Sequence, residues 1–174
     1  MRGVARGMEN RPFRPDAAAG ELLEEYADLI YKLAFSRMKN AADAEDVFQE
    51  VFLRYFSKRP VFDSEEHRKA WLIRVTLNCC NKLFASAWRR HRASLDEAME
   101  SAGDEPRCQD ESGVLAAMDK LPPAYRTVVH LFYYEDLSIR QISMALRKKE
   151  GTIKSQLNRA RAMLKEELGE GFDV

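Results

Sequence analysis

The chain has few of the residues from which enzymes and metal sites are built. It contains three cysteines and three histidines among 174 residues. No CxxC or HxxxH spacing occurs, and adjacent Cys79 and Cys80 do not readily aim both sulfurs into one tetrahedral site. With Cys108 they read as free thiols of a reducing compartment. His67, His91 and His130 stand on three separate segments with no Ser-His-Asp arrangement, so no catalytic residue, cofactor or metal is expected. No apolar run approaches 18 residues, and Arg2 and Arg6 precede no apolar signal core, which predicts a cytoplasmic chain without membrane insertion. Alternating β-branched residues are missing too, so a sheet is not expected.

Net charge is also lacking: 28 basic residues balance 28 acidic ones. The distribution is uneven. Residues 67–92 carry Arg68, Lys69, Arg74, Lys82, Arg89, Arg90 and Arg92 and no acid, while residues 137–165 hold eight basic residues against Glu150 alone. Residues 96–112 carry seven acids and one Arg, and residues 41–66 carry seven acids and three bases. Two basic islands separated by an acidic stretch point to a polyanionic partner.

What is present is helical periodicity. Residues 1–19 mix Gly, Pro, Arg and Asn and read as a flexible arm. Leu22, Tyr26, Leu29, Ile30, Leu33 and Ala34 mark a first helix to about Lys39. Asp43 is a candidate cap for a second, which carries Val47, Phe48, Val51, Phe52, Tyr55 and Phe56 and stops at Pro60. Ser64 opens a third, whose expected buried face is Ala70, Ile73, Leu77, Cys80, Phe84 and Trp88. The stretch SLDEAMESAGDEPRCQDESG has no aromatic residue and reads as a flexible linker. Short helices follow, near Val114–Leu121 and Tyr125–Tyr134. The fold class is therefore all-α: two small helical domains at 20–92 and 114–170, joined by a flexible acidic linker at 93–113.

The last third, LSIRQISMALRKKEGTIKSQLNRARAMLKEEL, sharpens the reading. Ser138 and Gln141 form a capping-box pattern ahead of Ile142, Ala145 and Leu146. In the helix from Thr152, steps of 100° gather Ile153, Leu157, Ala160 and Leu164 on one side. Ser155, Asn158, Arg159 and Ala162 fall opposite, flanked by Lys154, Arg161 and Lys165. A helix enters the major groove only with a long polar face free of repelling acids, and this face has one until Glu166. Asn158 and Arg159 have the planar donors that read purine edges, whereas Lys154, Arg161 and Lys165 suit phosphates. First-turn amides at Thr152–Lys154 can take another. This is a helix-turn-helix pattern.

The order of LLEEYADLIYKLAFSRMKN, DAEDVFQEVFLRYF, KAWLIRVTLNCCNKL, LPPAYRTVVHLFYYEDLSIRQIS and GTIKSQLNRARAML resembles the extracytoplasmic-function (ECF) group of bacterial RNA polymerase sigma factors. The resemblance implies that the first domain binds core RNA polymerase through Asp46, Gln49, Glu50 and Phe52. It implies that the basic third helix reads and opens the promoter −10 element, with Trp71, Arg74 and Asn78 at hallmark positions and Lys82, Arg89 and Arg90 adding charge. The helix bearing Thr152, Lys154, Ser155, Asn158, Arg159, Arg161 and Lys165 then reads the duplex −35 element. An anti-sigma factor, common in this group, is a further implied partner. The sequence departs from the group at Arg147, where glycine is usual. The competing reading is a polymerase-independent helix-turn-helix regulator, which would not need a basic, tryptophan-bearing face in the first half.

Overall fold

The computed structural model describes residues 15–93 and 113–169, and the side chains of 15–19, 21–23 and 89–93 fall outside the description. Within it the chain is all-helical. The helices are α1 (Pro15–Met38), α2 (Ala41–Lys58), α3 (Glu65–Ala93), α4 (Val114–Lys120), α5 (Pro123–Val129), α6 (Ile139–Leu146) and α7 (Glu150–Leu168), and a π turn at His130–Tyr134 continues α5. Helices α1 to α3 pack together, and α4 to α7 form a second cluster. Most of the expected linker, and the arm up to residue 14, lie outside the described residues.

Helix α1 begins at Pro15, inside the stretch expected to be an arm. Proline suits a first helical position because the amide hydrogen it lacks has no partner there. At α2 the cap is Asn40, not Asp43: the Asn40 side chain accepts from the Asp43 amide at 2.9 Å. Lys39 turns the chain at φ 57°, which makes Asn40 the last extended residue before the helix. Asp43 instead lies in the first turn, where the helix dipole favours a carboxylate. Ser64 opens α3 as expected, its hydroxyl accepting from the His67 amide at 3.1 Å.

The core of the first cluster joins Ile30 and Leu33 of α1, Val47 and Val51 of α2, and Leu72, Ile73 and Cys80 of α3. The expected α3 face is buried at Ala70, Ile73 and Cys80 and half-buried at Leu77, but it ends early. Phe84 is 43% and Trp88 64% exposed. Core packing along α3 stops near Leu83, so the later turns of this long helix project past the helices that cover its beginning.

Arg126 anchors the second cluster. It is buried, and its guanidinium donates to the carbonyls of Met118, Asp119 and Leu121. Those carbonyls end α4 and need partners once the chain leaves the helix. The same side chain crosses to the first cluster and donates to the Ser36 carbonyl at 2.9 Å. Lys39 answers by donating to the Asp119 carbonyl, and Gln141 donates to Glu66 at 3.2 Å. The two clusters are thus docked along a seam.

Candidate nucleic-acid interface

Helix α7 is built by the separation of two faces. Ile153, Leu157, Ala160 and Leu164 are buried, as the periodicity requires. Each large apolar side chain so buried contributes about 1.5–3 kcal/mol, which fixes the rotation of the helix about its axis. Thr152, Lys154, Ser155, Asn158, Arg159, Ala162 and Lys165 are left exposed. The helix starts at Glu150 rather than Thr152, with Lys149 as its cap residue. The earlier start overturns the expected anion site at the Thr152–Lys154 amides. The Thr152 and Ile153 amides both donate to the Lys149 carbonyl, at 2.9 and 3.2 Å, and Lys154 lies beyond the first four helical residues, whose amides alone lack an intrahelical partner.

Helix α6 holds α7 in place. The Ser138 hydroxyl accepts from the Gln141 amide at 3.2 Å, and the Gln141 side chain returns to the Ser138 amide at 2.9 Å. The expected capping box is complete. Arg147 ends α6 in the left-handed region at φ 53°, at the position where the sequence departs from the group's glycine.

The arginines of α7 differ in setting. Arg159 is fully exposed, and its hydrogen bond to Tyr125 holds the guanidinium above its ordinary pKa. Arg161 is half-buried and turned back: its Nε donates to the Tyr133 hydroxyl, and its guanidinium lies over the Phe132 and Tyr133 rings. Tyr125 and Tyr133 therefore position the basic face. Neither was singled out from the sequence, because tyrosines among apolar residues give no sign of which helix they will meet.

On α3, Trp71, Arg74, Asn78 and Lys82 follow a three- and four-residue spacing that puts them on one side of the helix. Trp71 is half-buried, edge-on to Tyr55 and Phe62 at centroid distances of 6.1 and 5.7 Å. Asn78 and Lys82 are exposed. Arg74 is committed elsewhere in this conformation: it donates to the carbonyls of Ala145 and Met144 at 3.3 and 3.1 Å. A cation there meets the negative end of α6. The Arg89 and Arg90 side chains lie outside the described residues.

On α2, Asp46 and Gln49 are exposed, and Glu50 is half-buried in a 2.8 Å pair with Arg54. Phe52 is buried at 8% exposure and belongs to the core, so three of the four expected positions reach the surface. Burial pushes the Cys79 thiol up and the Cys80 thiol to about 11, which leaves both protonated near neutrality. Among the described residues no His, Cys, Asp or Glu cluster could hold a metal ion, and no helix is long and apolar enough to cross a membrane.

Residues 22–90 match the family described as Sigma-70 region 2, and residues 113–164 match Sigma-70, region 4. The ECF RNA polymerase sigma factor SigL of Mycobacterium tuberculosis is 34% identical over 161 residues, a match covering 85% of this chain and 89% of that protein. The chain belongs to the ECF RNA polymerase sigma factors. SigW of Bacillus subtilis is 28% identical over 170 residues, covering 87% of this chain and 89% of that protein. SigE of Mycolicibacterium smegmatis is 32% identical over 160 residues, and there the match spans 60% of the relative's length. The solved structure of the sigma factor RpoE with the anti-sigma factor NepR from Bartonella quintana shares the fold, with a TM-score of 0.72 at 24% identity over 87% of this chain and 96% of that one. A sigma factor is a transcription factor rather than a catalyst, so this chain is not an enzyme.

Proposed function

We propose that this sigma factor binds core RNA polymerase in the cytoplasm and directs it to promoters through two surfaces, one on each helical cluster. Residues 20–92 form the polymerase-binding and −10 domain, with Asp46, Gln49 and Glu50 toward the polymerase. Trp71, Arg74, Asn78, Lys82, Arg89 and Arg90 face the melted −10 strand. Aromatic and cationic side chains together suit unstacked bases and their backbone. Residues 114–170 form the −35 domain, in which Asn158 and Arg159 read base edges and Thr152, Lys154, Ser155, Arg161 and Lys165 grip phosphates and sugars. The observation that carries the reading is the exposed side of α7, polar and free of acids from Gly151 to Lys165 while the opposite side is buried.

The anti-sigma partner named with the Bartonella quintana structure supports a similar partner here. A run-off transcription assay on a genomic promoter library tests the function. Core polymerase supplemented with the full chain should yield specific transcripts that core alone does not. A polymerase-independent regulator would shift duplex DNA yet leave core polymerase without new start sites.

A further inference from the structure

The seam between the clusters encloses a crevice of about 260 Å³ with an unusual lining. Arg37 of α1, Arg74 of α3 and Lys148 of the α6–α7 turn face it, with the amides Asn78 and Asn81 between them. No carboxylate lines it. Arg37, Arg74 and Lys148 are half-buried, and like charges gathered in a partly desolvated crevice are costly unless a counter-charge meets them. The charges here are incompletely met. Arg37 donates through Nη2 to Asn81 at 2.8 Å, but its buried Nε has no partner. Burial holds both the Arg37 and Arg74 guanidinium groups below their ordinary pKa, and the neighbouring Arg147 charge adds to the effect on Arg74.

This donor set is chemically specific. Arg74 spends Nε and Nη2 on the Ala145 and Met144 carbonyls, and Arg37 spends Nη2 on Asn81. The remaining guanidinium N–H groups, an ammonium and amide N–H groups together match an anion that presents several oxygens in different directions. Size narrows the class further. Pockets for drug-sized ligands begin near 300 Å³, so this crevice suits a small inorganic anion better than a nucleotide.

We propose that this crevice is a binding site for a small phosphate anion, of the size of inorganic phosphate or pyrophosphate, and that its occupation holds the two clusters docked. The anion would bridge Arg37 and Arg74 of the first cluster to Lys148 of the second. A ligand that binds only the docked form shifts the population toward it and is opposed by whatever binds the open form. Arg74 and Asn78 line the crevice, so the anion and a promoter strand exclude one another. That consequence rests on the −10 reading above; the anion site itself does not.

Isothermal titration of the full chain with pyrophosphate tests the site, and strand binding tests the consequence. Anisotropy of a labelled mixed-sequence single strand is measured with and without pyrophosphate, potassium chloride being adjusted to constant ionic strength. Arg37→Gln and Lys148→Gln alter the crevice without touching a proposed promoter- or polymerase-binding residue, and circular dichroism checks their folding. The wild type should bind pyrophosphate saturably, and each variant should bind at least about tenfold more weakly. Pyrophosphate should lower strand affinity in the wild type by about fivefold or more, within the usual range of coupling between sites, and leave the variants nearly unaffected. Absence of saturable binding, or equal weakening of the strand in all three proteins as simple ionic competition gives, overturns the proposal. If the strand binds none of the proteins while pyrophosphate binding still depends on Arg37, the −10 reading falls and the anion site stands.

Discussion

Arg161 donates its Nε hydrogen to the Tyr133 hydroxyl at 2.7 Å, and its guanidinium lies 5.6 Å from the centroid of the same ring. A residue expected to grip phosphate is thus braced against the π turn that precedes α6. The brace and the grip are compatible, because a guanidinium has five donors and Nε is only one of them. Arg161→Ala should weaken binding to all duplex sequences nearly alike and lower the logarithmic salt slope by about one unit. Tyr133→Phe should leave that slope in place. Anisotropy titrations over several salt concentrations decide, and an unchanged slope for Arg161→Ala would make the residue a structural brace only.

Arg159 has the opposite character. It is exposed, with the Tyr125 side chain acting on its guanidinium, so its effect should be local in sequence. Arg159→Ala should relax preference at one −35 base pair by roughly tenfold, with the neighbouring positions unaffected. A matched panel of single-base −35 variants measures this. Uniform loss across the panel would assign Arg159 to the backbone.

The polymerase surface on α2 is testable without disturbing the core, because Asp46 and Gln49 are exposed and Glu50 is half-buried at its edge. Replacing all three with alanine should weaken association with core polymerase by about tenfold, a coupling expected where charged groups meet a complementary surface. Helicity should persist. Association at wild-type strength, read by size exclusion or interferometry, sinks the assignment.

Arg147 sits at φ 53°, where a side chain crowds the backbone and glycine does not. Arg147→Gly should stabilise the chain by about 0.5–1 kcal/mol, less the extra freedom that glycine gives the unfolded state. Urea denaturation reads the sign. A loss of stability would show that the guanidinium contributes more than its backbone costs.

The Cys80 thiol should make stability sensitive to high pH. Its folded value is about 11 against an ordinary 9.0, so the native state holds the proton more tightly than the unfolded chain does. The contribution is complete below pH 9 and is lost as pH rises from there to 11. Cys80→Ser should flatten the decline of melting temperature over that window. In the wild type, Cys80 should resist thiol reagents at pH 8 until urea unfolds the chain.

Much of α7 could be read in advance because burial there follows a single period: Ile153, Leu157, Ala160 and Leu164 repeat at three and four residues and all pack inward. The capping box at Ser138 was legible for a similar reason, being complete within four residues. Asn40 and Asp43 illustrate a local ambiguity. Both side chains can cap, and only the backbone turn at Lys39 chooses between them. Trp88 illustrates a non-local one, since its exposure depends on where neighbouring helices stop rather than on its own spacing. Arg74 lay furthest from reach. Its position on the basic face was plain, but its bonds to Met144 and Ala145 join residues some seventy positions apart.

The seam has a grammar of its own. Arg74, Arg126 and Lys39 all cross it to donate to main-chain oxygens, at Met144 and Ala145, Ser36 and Asp119. A donor aimed at a main-chain oxygen is indifferent to the side chain mounted on that residue, since every amino acid supplies the same acceptor. Ser36, Met144 and Ala145 are therefore free to drift over generations without loss of fit, whereas Asp119 also meets Lys39 through its carboxylate at 3.4 Å. Chimaeras that graft one half of this chain onto the other half of a distant relative should still close, provided the three cations travel with their own helices.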